Sequence, residues 1–224
     1  VVLNQLLGAQ CGDGSGWGYY VQMEGKKPYS SNLDGHCCLS SGPRGVALIP
    51  TFAASTDAEG VVVNLYDAGT ANLSLRDGTA VTLTTTTAFP ADGKVSMAVA
   101  TAAPRTFTVK LRLPAWSPSA EVRVNDKTIE VSPGPDGYAA LKREWRQGDR
   151  LDLQLKLEPR VVAGDHRNQG KAALLYGPLV LAADGALLGA TNRNLGAIAL
   201  ADLSLAALDF KPEPAPPELR SWLG

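Results

Sequence analysis

From Gly60 to Leu157 apolar side chains recur at every second position. Val61-Val63-Leu65, Leu73-Leu75, Val81-Leu83, Val95-Met97-Val99, Phe107-Val109-Leu111-Leu113, Val122-Val124, Ile129-Val131 and Leu151-Leu153-Leu155-Leu157 all alternate with polar neighbours. A period of two turns one side of a strand inward and the other to water, which is the mark of half-buried antiparallel strands. Asp77-Gly78, Asp92-Gly93, Asn125-Asp126, Pro133-Gly134 and Gly148-Asp149 punctuate the runs as turns. Many short strands at this spacing predict a mainly β chain built around an antiparallel β-sandwich. Residues 171–184 are apolar almost throughout and add two short buried strands about Gly177-Pro178, which carries the expected sandwich to residue 184.

The first quarter follows another period. Val2, Leu3, Leu6 and Leu7 stand at helical spacing, and the pattern stops at Gly12-Asp13-Gly14. Trp17 to Met23 predicts a short strand, and Gly25 to Gly35 a loop. Ser40 and Ser41 followed by Pro43 match an N-cap with proline at the first helical position. With Val46, Ile49 and Ala53 as an apolar stripe, this predicts a helix over 43–54, strained or ended by Pro50. At the other end, residues 185–210 are rich in Ala, Leu and Gly with weak period. Residues 211–220 hold four prolines and predict an extended tail.

Composition narrows the classes. The 224 residues carry 21 Lys+Arg against 22 Asp+Glu, and no basic run exceeds two residues. A nucleic-acid or membrane-surface partner, which usually shows as a basic stripe, is not expected. No apolar stretch approaches the roughly 20 residues of a membrane span. At 45% hydrophobic and 19% charged the chain can build a core. It does not begin with Met, opens directly in a helical pattern and has no basic-then-apolar leader. It is therefore expected to be a piece of a longer protein, and no compartment is assigned.

Three cysteines, Cys11, Cys37 and Cys38, are an odd number, which speaks against a disulfide framework. Adjacent Cα atoms lie about 3.8 Å apart, less than the roughly 4.4–6.8 Å that a disulfide spans, so Cys37 and Cys38 are poorly placed to bridge each other. Two readings remain open. Vicinal cysteines are often small buried hydrophobes. They also precede a predicted helix N-terminus, with Arg44 one turn on, and both features lower a thiol's pKa and favour the nucleophilic, metal-binding thiolate. Both sulfurs can reach one Zn²⁺, with His36 as a candidate third ligand, but zinc takes four. Trp116 and Trp145 read as core rather than sugar platforms, and Glu144 with Arg146 as a solvated pair.

Several stretches in order resemble the C-terminal portion of glycoside hydrolase family 127, the β-L-arabinofuranosidase-like proteins. They are VVLNQLLGAQCGDG, GYYVQMEGKKPYSS, HCCLSSGPRGVALIPTFAAS, GVVVNLYDAG, LRLPAWSPSAEVRVND, REWRQGDRLDLQLKLEPR and GKAALLYGPLVLA, spanning residues 1–184. The resemblance implies remnant helices of an (α/α)6 barrel over residues 1–55, a β-sandwich over 56–184, and an irregular segment with a Pro-rich tail over 185–224. It implies a zinc-dependent retaining glycosidase acting on arabinofuranoside-like carbohydrate. Cys37 takes the place of the nucleophile and zinc ligand, and Cys38 that of a pure zinc ligand. Arg44 follows the pair as in the family motif, whereas His36 stands where relatives often have another residue and is a supporting residue only on the reading of the residues above. A Glu-x-Cys segment and the acid/base glutamate belong upstream of residue 1; Glu24 and Glu59 match neither. On this reading the chain alone is inactive. A free-standing β-sandwich that binds carbohydrate or a protein partner is the alternative, although 6% aromatic residues is low for a sugar-binding face. A zinc-thiolate structural domain is the third.

Overall fold

The protein is represented by a computed structural model, which describes residues 2–11, 14–19, 37–117 and 119–182. Helical turns at Val2–Leu6 and Leu7–Ala9 open it, followed by α1 (Cys37–Ala47) and α2 (Ile49–Ala53). The strands are β1 (Ala54–Thr56), β2 (Gly60–Val63), β3 (Gly69–Ser74), β4 (Ala80–Thr87), β5 (Lys94–Thr101), β6 (Arg105–Arg112) and β7 (Glu121–Val124). They continue as β8 (Lys127–Ile129), β9 (Tyr138–Trp145), β10 (Asp149–Gln154), β11 (Pro159–Ala163), β12 (Ala172–Tyr176) and β13 (Leu179–Leu181). The chain divides into two compact units. One is Leu48–Leu157, and the other joins the described residues before Leu48 to those from Glu158 onward.

Within Leu48–Leu157 a four-stranded sheet, β1-β2-β6-β9, and a six-stranded sheet, β3-β4-β5-β10-β7-β8, contribute to one core. The alternation does the work expected of it. Val81 and Leu83 on β4, Val95, Met97 and Val99 on β5, and Leu151 and Leu153 on β10 are buried, and the less buried Thr82, Ser96, Ala98 and Asp152 lie between them. The four-stranded sheet supplies Val61, Val63, Phe107, Val109, Leu111, Leu141 and Trp145 to the same core. At about 25 cal/mol per Å² of apolar surface removed from water, these side chains are the main source of stability.

One pairing departs from the antiparallel expectation. β2 runs parallel to β6, with Val61 beside Val109 and Val63 beside Leu111. A parallel pair needs a long crossover, and β3, β4 and β5 of the other sheet provide it. The join is tight. A Cβ on Gly60, whose φ is +156°, would sit 2.1 Å from the Thr108 carbonyl oxygen, so this position excludes a side chain. The Asn125-Asp126 turn joins β7 to β8 with φ of +49° and +65°, the left-handed pair that a two-residue hairpin demands.

Asp149, nearly buried at the start of β10, is fully used. It accepts a hydrogen bond from the Asn125 side chain at 2.7 Å and one from the Arg146 N–H at 3.0 Å, with the Arg143 guanidinium 3.6 Å away. Burial pushes its carboxyl up, but the bonds from Asn125 and Arg146 and the charges of Arg143 and Arg146 outweigh it, and the pKa lies below the usual carboxylate value. A carboxylate whose folded pKa is depressed stabilises the fold above its ordinary range, about pH 4. That contribution is lost as pH falls from there through the folded value. Unfolding measured from pH 7 down to pH 2 is therefore expected to show a steeper acid loss for the unaltered chain than for Asp149→Asn. Parallel curves would contradict this role.

The other unit holds a three-stranded antiparallel sheet, β11-β12-β13. The Asn4 side chain ties the N-terminal turns to its edge, donating to the Pro178 carbonyl at 2.8 Å and accepting from the Val180 N–H at 2.9 Å. The two strands expected about Gly177-Pro178 are present, half-buried rather than buried, but they belong to this sheet and not to the sandwich. The sandwich unit accordingly ends at Leu157, short of residue 184.

The helix expected over 43–54 also differs. α1 runs from Cys37 with Pro43 inside it, and Pro50 falls in the first turn of the separate α2 rather than ending a helix. Proline's φ is already helical, and its ring clashes with the Cβ of the preceding residue. Here that residue is Gly42, which has no Cβ, so that clash is absent, and α1 continues through Pro43 at the cost of the bond to residue 39. Trp17 forms a single bridge with Gln10, and residues 20–36, where the rest of the expected strand and the loop fall, lie outside the described residues, as do 183–224.

Candidate functional site

The cysteine pair stands at the described start of α1, inside the helix and not ahead of it. Successive helical residues are rotated by about 100°, so neighbours cannot share a face, whereas residues four and seven apart do. Cys38, Gly42 and Gly45 thus line one stripe. Gly42 lies against the indole of Trp17, and a Cβ there would come within 2.1 Å of the ring. A Cβ on Gly45 would meet Leu6 at 3.1 Å. Trp17 is held in turn by its neighbours, since the Gly18 N–H donates to the Ala9 carbonyl and the Cys11 N–H to the Gly16 carbonyl.

This seat makes the two thiols unequal. Cys38, on the packed stripe, is half-buried with its sulfur 4.0 Å from the Tyr19 carbonyl oxygen, while Cys37 points off the stripe and is exposed. All three cysteines are free thiols. Burial, followed by the hydrogen bond and charge of Cys37, pushes the Cys38 thiol above its ordinary pKa. The lowering expected at a helix N-terminus is therefore not what Cys38 shows.

The two sulfurs are 4.0 Å apart. Two thiolates each about 2.3 Å from one tetrahedral zinc are separated by about 3.8 Å, so the pair is spaced to share an ion. Among the described residues no third His, Cys, Asp or Glu joins them in a metal-holding group. His36 and Glu24 lie outside the described residues. Arg44 is engaged elsewhere: its Nε donates to the Ser40 carbonyl at 3.0 Å and its guanidinium to the Ser41 hydroxyl at 3.2 Å. Glu59 is ion-paired with Lys110.

Among the described residues the sandwich holds no comparable group. A groove of about 720 Å³ on it is bordered by Ile129, Glu130, Arg143 and Arg146, but Arg146 pairs with Glu144 and Arg143 stacks on Trp145 beside Asp149. Trp116 stacks on Phe89 and Trp145 is fully buried, so both are core, as their sequence context suggested. The Glu144–Arg146 pair is exposed, as expected. Among the described residues no helix is long and apolar enough to cross a membrane. The contact missed by pattern reading is Trp17 on Gly42. Its only signal was a glycine four residues after Cys38, within helical reach.

Residues 60–157 match the family model described as beta-L-arabinofuranosidase, GH127 middle domain. Among solved structures, the chain is similar to a GH127 beta-L-arabinofuranosidase from Geobacillus stearothermophilus T6, with a TM-score of 0.69 and 25% identity over 78% of this chain. It is similar also to a GH127 beta-arabinofuranosidase, with a TM-score of 0.68, 25% identity and the same 78% coverage. A third likeness, to a structure described as a glycoside hydrolase, has a TM-score of 0.71 and 21% identity. The chain spans about 30% of the length of these structures. No curated protein sequence matches it. The resemblance to family 127 proteins is thus carried by the sequence of residues 60–157, which matches a middle domain, and by the fold.

Proposed function

We propose that this chain is the C-terminal part of a retaining, zinc-dependent glycoside hydrolase of the family 127 kind, acting on terminal arabinofuranosides, with Cys37 as nucleophile and Cys38 as metal ligand. The observation that supports it most is the unequal pair at the start of α1. One thiol is exposed, the other is seated on the Tyr19 carbonyl, and their sulfurs are spaced for one ion. The middle-domain match that begins at residue 60, shortly after this pair in sequence, points to the same family.

Cys37 and Cys38 would both hold zinc, and the donor chemistry suits it, since two thiolates are soft, anionic ligands. When bound, the metal supplies the positive charge that keeps its thiols ionised near neutral pH. Cys37 then attacks the anomeric carbon while the bond to the leaving oxygen breaks and a carboxylic acid protonates that oxygen. Water, activated by the same group now acting as base, displaces Cys37 and restores the sugar with retained configuration. Cys38, turned toward the packed face, holds its position rather than reacting. The acid/base carboxyl is supplied by the remainder of the longer protein.

The test is hydrolysis of an aryl β-L-arabinofuranoside. The 224-residue chain is expected to give no turnover with or without added zinc, whereas the longer protein with its upstream domain turns over. General acid–base catalysis alone is worth about 10²–10⁴-fold. Turnover by the isolated chain that is abolished by Cys37→Ala would contradict the division of labour. An inactive longer protein would contradict the glycosidase reading itself.

A further inference from the structure

The glycines of α1 face two apolar side chains, and that contact reaches the cysteines. Trp17 is 6% exposed, and Gly42 is buried beneath it. The indole atoms Cε2, Cζ2 and Cδ2 all fall within 2.6 Å of where a Gly42 Cβ would be, so the ring lies flush on the helix backbone. One turn further on, Leu6 meets Gly45. Backbone laid directly on a rigid ring cannot rotate about the helix axis without opening a gap or driving a neighbouring side chain into the indole. Interiors close-packed in this way tolerate neither. Cys38 shares the stripe of Gly42 and Gly45, so the same contact fixes which way Cys38 points and, about 100° away, which way Cys37 points.

We infer that Trp17 is a positioning residue for the cysteine pair: its ring, seated on Gly42, sets the rotation of α1 that leaves Cys37 open to an electrophile and turns Cys38 toward the Tyr19 carbonyl. This rests on the reading of Cys37 as nucleophile and adds the element that makes two adjacent thiols different. Trp17 touches neither sugar nor metal in this role and acts only through the helix.

The test compares the two thiols of the 224-residue chain. Each protein is alkylated with iodoacetamide at fixed pH, and peptide mass spectrometry gives the rates at Cys37 and Cys38 separately. In the unaltered chain Cys37 is expected to react faster by at least about threefold, because access to the sulfur governs the rate. Trp17→Ala removes the ring from Gly42 and is expected to bring the ratio toward one, whereas Trp17→Phe, which keeps a flat ring over Gly42, retains most of the difference. Far-UV circular dichroism on the same samples shows that the variants are folded, so a falling ratio reports rotation of α1 and not unfolding. Three outcomes overturn the inference: equal rates in the unaltered chain, a ratio unmoved by Trp17→Ala, or Trp17→Phe no better than Trp17→Ala. None of these needs substrate or metal, so each leaves the glycosidase reading to its own test of turnover.

Discussion

Trp145→Ala is expected to remove about 3–5 kcal/mol from the stability of the sandwich unit, the range for emptying a fully buried large aromatic site. Trp145 ends β9, is completely buried and packs against Phe107 with ring centroids 6.0 Å apart. Its indole N–H donates to the Phe107 carbonyl at 3.1 Å, in the pairing of β6 with β9. Alanine leaves a cavity and a carbonyl without that donor, and the Arg143 guanidinium, 5.1 Å above the ring, loses its platform. Against a usual total of about 5–15 kcal/mol, this takes away much of the stability. Urea unfolding followed by far-UV circular dichroism measures it. Trp116→Ala, at a partly buried ring stacked on Phe89, is expected to cost less. A loss below about 1 kcal/mol at Trp145 would contradict its place at the centre of the core.

In the longer protein, Cys37→Ala is expected to lower kcat by a factor on the order of 10³ or more, because the covalent step loses its nucleophile and Cys38, turned toward the packed face, does not replace it. Its zinc content falls only in part, since the other ligands remain. Cys38→Ser is expected to behave in the opposite order. It loses zinc first, and added zinc recovers part of the activity, because removing a ligand mainly weakens metal binding. The asymmetry follows from the geometry of α1, where Cys37 is exposed and Cys38 is half-buried against the Tyr19 carbonyl. Zinc by mass spectrometry and turnover, measured on the same samples, separate the two roles. Equal losses of zinc and activity in both variants would make the pair equivalent ligands.

Alternation made most of the sandwich legible, because a strand with one face in the core and one in water must show it. Where the inward residue is not plainly apolar, the pattern breaks. β9 turns Ala139, Leu141, Arg143 and Trp145 toward the core side, and the small Ala139 and the charged Arg143 hide its period. β1 and β11, of three and five residues, are too short to show one. The parallel β2–β6 pair was invisible for another reason: side-chain alternation reports faces and not strand direction. At the cysteines, residue types and order were readable, but the start of α1 was not. Ser-Ser-Gly-Pro reads as a cap, yet α1 runs straight through it, with Pro43 inside the helix and Trp17 packed on Gly42. The inequality of Cys37 and Cys38 arises from that packing, whereas a sequence presents them merely as neighbours.

Covalent trapping tests the assignment of Cys37 most directly. The longer protein is treated with a cysteine-directed arabinofuranosyl inhibitor, digested, and the labelled peptide around residues 37–44 sequenced by mass spectrometry. One label on Cys37, formed in step with loss of activity, is the predicted result. A label on Cys38 would exchange the two roles. Full inactivation with neither cysteine labelled, or activity retained in both Cys37→Ala and Cys38→Ser, would return the pair to two thiols packed at the start of a helix.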